Sequence, residues 1–74
     1  MTYGARIASM RGYRRMTQEA LGGLVGVTKQ TIRGWENDYR KPDADDICNL
    51  CKALDCTADY LLGLADDPHG HVKW

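Results

Sequence analysis

Apolar residues between positions 3 and 64 fall into five short blocks of helical spacing, separated by polar or glycine-bearing breaks. In the first block, Thr2 is placed to cap a helix from about Tyr3 to Arg14, with Ile7 and Met10 on its inner stripe and Arg11 beside them. In the second, capped by Thr17, the residues Leu21, Leu24 and Val25 sit at i, i+3 and i+4, the spacing of one buried face. Gly26 follows, where a helix ends in a left-handed turn, and Val27 then points inward. Thr28 opens a third helix, from Lys29 to about Asn37, whose inner face is Ile32 and Trp35. Gly22 leaves room for that third helix to cross the second closely, and Asn37-Asp38 supplies the turn chemistry that stops it. Pro42 bars any continuation through the basic loop Tyr39-Arg40-Lys41.

Asp43 and Asp46 have the spacing of a capping box built from short acids. They open a fourth helix, about Ala44 to Leu54, with Ile47, Leu50, Cys51 and Leu54 on one side. Thr57 caps a fifth, which contains Tyr60, Leu61, Leu62 and Leu64. No alternating strand pattern, internal repeat or low-complexity segment interrupts the series. The expected architecture is all-α: one compact five-helix bundle over residues 1–64 and an irregular polar tail over 65–74. The second and third helices, joined through Gly26 and Val27, read as a helix-turn-helix. Their arrangement leaves the outer face of the third helix free, and that face carries Lys29, Gln30 and Arg33. These side-chain types can bond base edges in the major groove of a duplex.

Size and charge sharpen that reading. A chain of 74 residues has room for one core. No apolar run approaches the roughly 20 residues of a membrane span, and the N-terminus lacks the pattern of a secretory signal, so a cytoplasmic protein is expected. The formal net charge is zero. Its distribution is uneven, however. Residues 1–41 hold eight basic against three acidic residues, a net of +5, and residues 42–74 hold two basic against seven acidic, a net of −5. The basic half contains the helix-turn-helix.

The sequence resembles the phage-repressor and Cro helix-turn-helix family, also called XRE-like, over residues 2–64. The resemblance is carried in order by Thr17-Gln18-Glu19-Ala20-Leu21, Gly26-Val27-Thr28, Thr31-Ile32, Trp35-Glu36-Asn37, Lys41-Pro42 and Thr57-Ala58-Asp59-Tyr60-Leu61-Leu62-Gly63. It implies the lambda-repressor-like fold, sequence-specific binding of double-stranded DNA, and a transcriptional regulator, usually a repressor, that pairs as a two-fold homodimer on a palindromic operator. By the same resemblance Thr28, Lys29 and Gln30, with Arg33 on the same face, are expected to contact bases. Phosphates are expected at Thr17, Gln18 and Asn37, with Arg14, Arg15, Tyr39, Arg40 and Lys41 flanking them. The family also pairs an arginine late in the first helix with a glutamate late in the third, and Arg11 and Glu36 match. Three positions depart from the family pattern. Gly34 stands where relatives often carry a long polar base-contacting residue, which implies that one direct contact is missing. Arg15 and Asp38 stand where glycine is common, and imply left-handed backbone at non-glycine residues.

Other chemistry is sparse. Cys48-Asn49-Leu50-Cys51 has redox or zinc spacing, with Cys56 nearby, but the strand context of a redox motif is missing. A tetrahedral metal site would need His69 or His71 from the tail as well. All three cysteines are expected to be reduced and buried, behaving as small hydrophobes, and no metal or cofactor is expected. No catalytic triad, acid pair or phosphate loop is present, so an enzyme and a small-molecule substrate are not expected. The fifth helix is over-supplied with apolar residues for one short element, which makes Tyr60, Leu61, Leu62 and Leu64 the expected dimer contacts, in a pairing weak without DNA. Trp74, an unusual final residue, is a further candidate for docking. Two rival readings are a protein-interaction module, which binds a toxin- or antirepressor-like partner through the acidic half, and a thiol- or metal-responsive switch.

Overall fold

The computed structural model describes residues 2–72. Trp74, the candidate docking residue, lies outside the described residues. Five helices follow in order: α1 (Tyr3–Tyr13), α2 (Gln18–Val25), α3 (Lys29–Glu36), α4 (Ala44–Leu54) and α5 (Ala58–Leu61). Each begins at an extended residue whose side chain accepts from the amide three residues on: Thr2, Thr17, Thr28, Asp43 and Thr57. At α4 the box is complete, since the Asp46 carboxylate accepts from the Asp43 amide at 3.0 Å. These caps satisfy orphan amides locally, which is why five short helices can start where the sequence says they do.

The helix ends are stopped by different means. Gly26 closes α2 with φ 79°, and its amide donates to the Gly22 carbonyl. Asp55 closes α4 in the same left-handed region with φ 53°, and Arg15 and Asp38 take φ 58° and 62° after α1 and α3. These three non-glycine residues carry the backbone strain that such a conformation costs. At Gly22 the constraint is space. A Cβ there would lie 2.7 Å from the Val27 carbonyl oxygen, so the residue admits the connecting turn itself rather than the body of α3.

The core gathers one face from every helix: Ile7 and Met10 from α1, Leu21 and Val25 from α2, Ile32 and Trp35 from α3, Ile47, Leu50 and Leu54 from α4, and Tyr60 and Leu61 from α5. Two expectations are corrected here. Leu24 is not part of the α2 stripe; it is 64% exposed, because α2 turns Leu21, Gly22 and Val25 inward and leaves i+3 outside that arc. Tyr60 and Leu61 are not free for a dimer contact, because they are 8% and 0% exposed within the single chain. The helix is a single turn, ending at Leu61, and both of its large apolar residues insert between α1 and α4. Leu62 is half-buried as its C-cap, and Leu64, beyond the turn at Gly63, is exposed.

Residues 65–72 are irregular and lie against the α4–α5 junction. The Thr57 amide donates to the Pro68 carbonyl at 2.8 Å, the Thr57 hydroxyl to the Gly70 carbonyl at 2.7 Å, and the Val72 amide to the Asp59 carboxylate at 2.9 Å. The two tail histidines lie near acids: His69 Nε2 is 3.6 Å from Asp55 Oδ2 and 2.9 Å from the Asp55 backbone carbonyl oxygen, and His71 Nδ1 is 3.4 Å from Asp59 Oδ2.

Candidate nucleic-acid interface

One carboxylate links the C-terminal end of α3 to α1 and to the start of α2. Glu36, with its side chain 7% exposed, accepts from Arg11 Nε at 2.6 Å and from Arg11 Nη2 at 3.1 Å. It also accepts from Gln18 Nε2 at 3.0 Å. Arg11 Nη1 donates onward to the Met16 carbonyl at 2.8 Å. One group on α3 therefore ties together the C-terminal end of α1, the turn after it and the first residue of α2. The hydrogen bond to Glu36 raises the Arg11 pKa above its ordinary value and keeps the guanidinium charged. The bidentate Arg11–Glu36 pair is the one read from the sequence. The expectation did not include Gln18 as its third member.

With α3 so held, Lys29, Gln30 and Arg33 lie exposed on its outer face. Thr28 stands at the start of that face, but its hydroxyl is engaged as the cap, 3.2 Å from the Thr31 amide and 3.1 Å from the Thr31 hydroxyl. Thr17 is engaged in the same way with the Ala20 amide at 3.0 Å. Asn37 caps the C-terminal end of α3, and Tyr39, Arg40 and Lys41 follow it, all exposed. Arg15 is exposed in the turn before α2.

Arg14 goes elsewhere. Its Nε donates to the Leu54 carbonyl at 2.9 Å and its Nη2 to the Asp55 carbonyl at 3.1 Å, so it caps the C-terminal end of α4 and is withdrawn from the flanking set. Arg6 does the same for α5, donating through Nη1 to the carbonyls of Tyr60 at 3.0 Å and Ala65 at 3.2 Å while its guanidinium sits 4.8 Å over the Tyr60 ring. Of the eight cations in the basic half, Arg6 and Arg11 on α1 and Arg14 at its C-cap serve internal contacts. Of the free ones, Lys29, Arg33, Arg40 and Lys41 belong to α3 and the loop after it, and Arg15 stands in the turn before α2.

Asp38 was read as a turn residue only. Its carboxylate also accepts from the Thr2 hydroxyl at 2.9 Å and the Gly4 amide at 3.3 Å, and so supplies α1 with the acid that its own first turn lacks. Gly4 makes this possible, since a Cβ there would fall 2.2 Å from the Trp35 carbonyl oxygen. The cysteine expectation holds in part. Cys56 is buried and Cys51 half-buried, but Cys48 is exposed on the outer side of α4. Burial pushes the Cys56 thiol up to about 12, and burial also raises Cys51. Both therefore stay protonated and poorly reactive at neutral pH, which gives no support to the thiol-switch reading. Among the described residues no three potential ligands from His, Cys, Asp and Glu converge on a common point.

A helix-turn-helix family model matches residues 7–61, three quarters of the chain and both helices of the motif. The chain belongs to the helix-turn-helix family. This helix-turn-helix chain is similar to the repressor protein C2 of Salmonella phage P22, at 41% identity over 59 residues that make up 80% of this chain and 27% of that protein. It is also similar to the uncharacterized HTH-type transcriptional regulator YobD of Bacillus subtilis, at 34% identity over 71 residues, 96% of this chain and 63% of that one. Among solved structures, the P22 c2 repressor in complex with a synthetic operator superposes with a TM-score of 0.81 at 39% identity, over 84% of this chain and 94% of that chain. The chain thus spans under two thirds of the length of these two curated relatives. Among the described residues, no helix is long and apolar enough to cross a membrane.

Proposed function

We propose that this helix-turn-helix chain binds double-stranded DNA in a sequence-specific manner and acts as a transcriptional repressor. The observation that carries the reading is the outer face of α3. Lys29, Gln30 and Arg33 stand free on a helix whose inner face is locked, while nearby cations that could have competed with them are occupied within the fold. The operator complex formed by the similar P22 c2 repressor supports it. In this reading α3 enters the major groove, Gln30 pairs with an adenine, and Lys29 or Arg33 pairs with a guanine. Thr28 lies at the groove end of the helix. Phosphates meet Thr17, Gln18, Arg15, Asn37, Tyr39 and Lys41 around it.

One short recognition helix reads few base pairs, so two copies act together on a palindromic site with half-site centres about 10 base pairs apart. With Tyr60 and Leu61 buried, Leu64 and the edge of Leu62 are the apolar surface left near α5 for such a pairing. A contact that small makes a dimer that forms mainly on DNA.

Selection of duplexes from a random pool tests the whole reading. The expected outcome is a two-fold symmetric site whose affinity falls steeply with salt, as counterion release requires. Enrichment of no duplex, or binding indifferent to salt, overturns DNA binding. An asymmetric site bound by one copy at every protein concentration overturns the pairing alone.

A further inference from the structure

Gly34 lies one turn beyond Gln30 on the outward side of α3, yet it is buried. What covers it is Arg40. A Cβ on Gly34 would meet Arg40 Cδ at 3.4 Å, Cγ at 3.5 Å and Cβ at 3.8 Å. The main chain brings the arginine there, since the amides of Tyr39 and Arg40 both donate to the Gly34 carbonyl, at 2.9 and 3.3 Å. The loop is thus folded back onto the last turn of α3, and the aliphatic stem of Arg40 occupies the space a side chain at position 34 would have used. Around it runs a concavity of about 290 Å³, bounded also by Gln30, Thr31, Arg33 and Tyr39.

Resting on the DNA-binding reading above, we infer that Arg40 is a specificity-determining residue: the loop lays it through the gap at Gly34 into the row of Gln30 and Arg33, where its guanidinium reads a guanine. The placement separates this role from a phosphate contact. A cation on the rim of a groove needs only to reach outward, whereas the Arg40 stem lies over Gly34 along a concavity that Gln30 and Arg33 also line. An arginine offers the O6 and N7 acceptors of guanine a rigid planar fork, whereas a lysine reaching guanine from this stem would bring one flexible ammonium and discriminate less sharply. The missing side chain at position 34 is therefore replaced by one that arrives from outside the helix. Gly34 leaves the way open for it: a Cβ there would reach ordinary contact with the stem at 3.4 Å, and a longer side chain would compete with it for the same space.

The test is duplex selection followed by affinity measurements with the intact chain and with Arg40→Ala, Arg40→Lys and Gly34→Gln. The expected result is that all three lose preference at one and the same base pair, by roughly 5- to 150-fold, the range of a bidentate base contact. Preference at the other positions and affinity for random duplex should hold for Arg40→Lys. If Arg40→Ala weakens every duplex alike and Arg40→Lys restores binding, the residue is a phosphate contact and the inference fails. No change in any variant also overturns it. If the unaltered chain selects no site, the failure lies with the DNA-binding reading itself, so the two failures are told apart by the first arm.

Discussion

Arg6 and Arg11 on α1 and Arg14 at its C-cap turn their donors toward carbonyls and a carboxylate of the fold, whereas Lys29 and Arg33 on α3, with Arg40 and Lys41 after it, carry theirs to the surface. The two sets have the same charge and lie in the same basic half of the chain. What separates them is the neighbourhood. The arginines of α1 face the C-terminal ends of α4 and α5 and the buried Glu36, where exposed carbonyls and an acid need donors. A net charge of +5 over residues 1–41 therefore overstates the surface available to a polyanion, and apart from Arg15 in the turn before α2 the cations that remain lie on one helix and its flanking loop.

The comparison is broken most severely at Glu36. Replacing it with alanine leaves Arg11 half-buried without its acid and removes the Gln18 contact, at a cost of roughly 3 kcal/mol, toward the lower end for a buried pair because Arg11 keeps some solvent. In a domain of this size that lowers the melting point by more than about 10 °C. Glu19→Ala, at an exposed acid, should stay within about 0.5 kcal/mol of the parent. Equal melting points for the two variants would show that the pair holds nothing together.

The next effect belongs to the outward set. Arg33→Ala and Gln30→Ala should each cost roughly 1–3 kcal/mol at the selected site, with relaxed preference there, and leave the melting point unchanged. Full affinity with unaltered preference in both would remove α3 from the interface. Arg14→Ala should give the mirror image. Its loss uncaps α4 and costs about 1–2 kcal/mol of stability by denaturant titration, while duplex affinity at a temperature where the protein is folded stays as it was. A variant that melts normally and binds poorly would place Arg14 with the outward cations instead. The smallest effect is expected at Lys41. Replacing it should weaken all duplexes about equally and reduce the slope of log affinity against log salt by about one. A base-specific loss would move Lys41 from the backbone to the groove.

The residues on which sequence and structure differ share a cause. The periodicity of α2 was legible, yet it could not say which edge of a short stripe the neighbours would cover, and Leu24 fell outside. The apolar surplus of α5 was legible too. Whether Tyr60 and Leu61 faced a second chain or the gap between α1 and α4 depended on how far that gap was open. The exposed Cys48 follows the same logic on α4. In each case the pattern names a face, and only the packing of other elements decides its width.

By itself the sequence determined where every helix starts, because a cap and its amide are three residues apart and need nothing else: Thr2, Thr17, Thr28, Asp43 and Thr57 all act locally. It likewise determined the turn at Gly26, the inner residues Ile32 and Trp35, and the outward row of Lys29, Gln30 and Arg33, since all follow from helical period and one left-handed residue. Only the tertiary structure decided the partners of long side chains. Asp38 reaches the start of α1 across 34 to 36 positions of chain, Arg14 the end of α4 across 40 to 41, and Arg6 the end of α5 across 54 to 59. Such contacts depend on which helix ends are left with unpaired amides and carbonyls after packing, and no spacing along the chain encodes that.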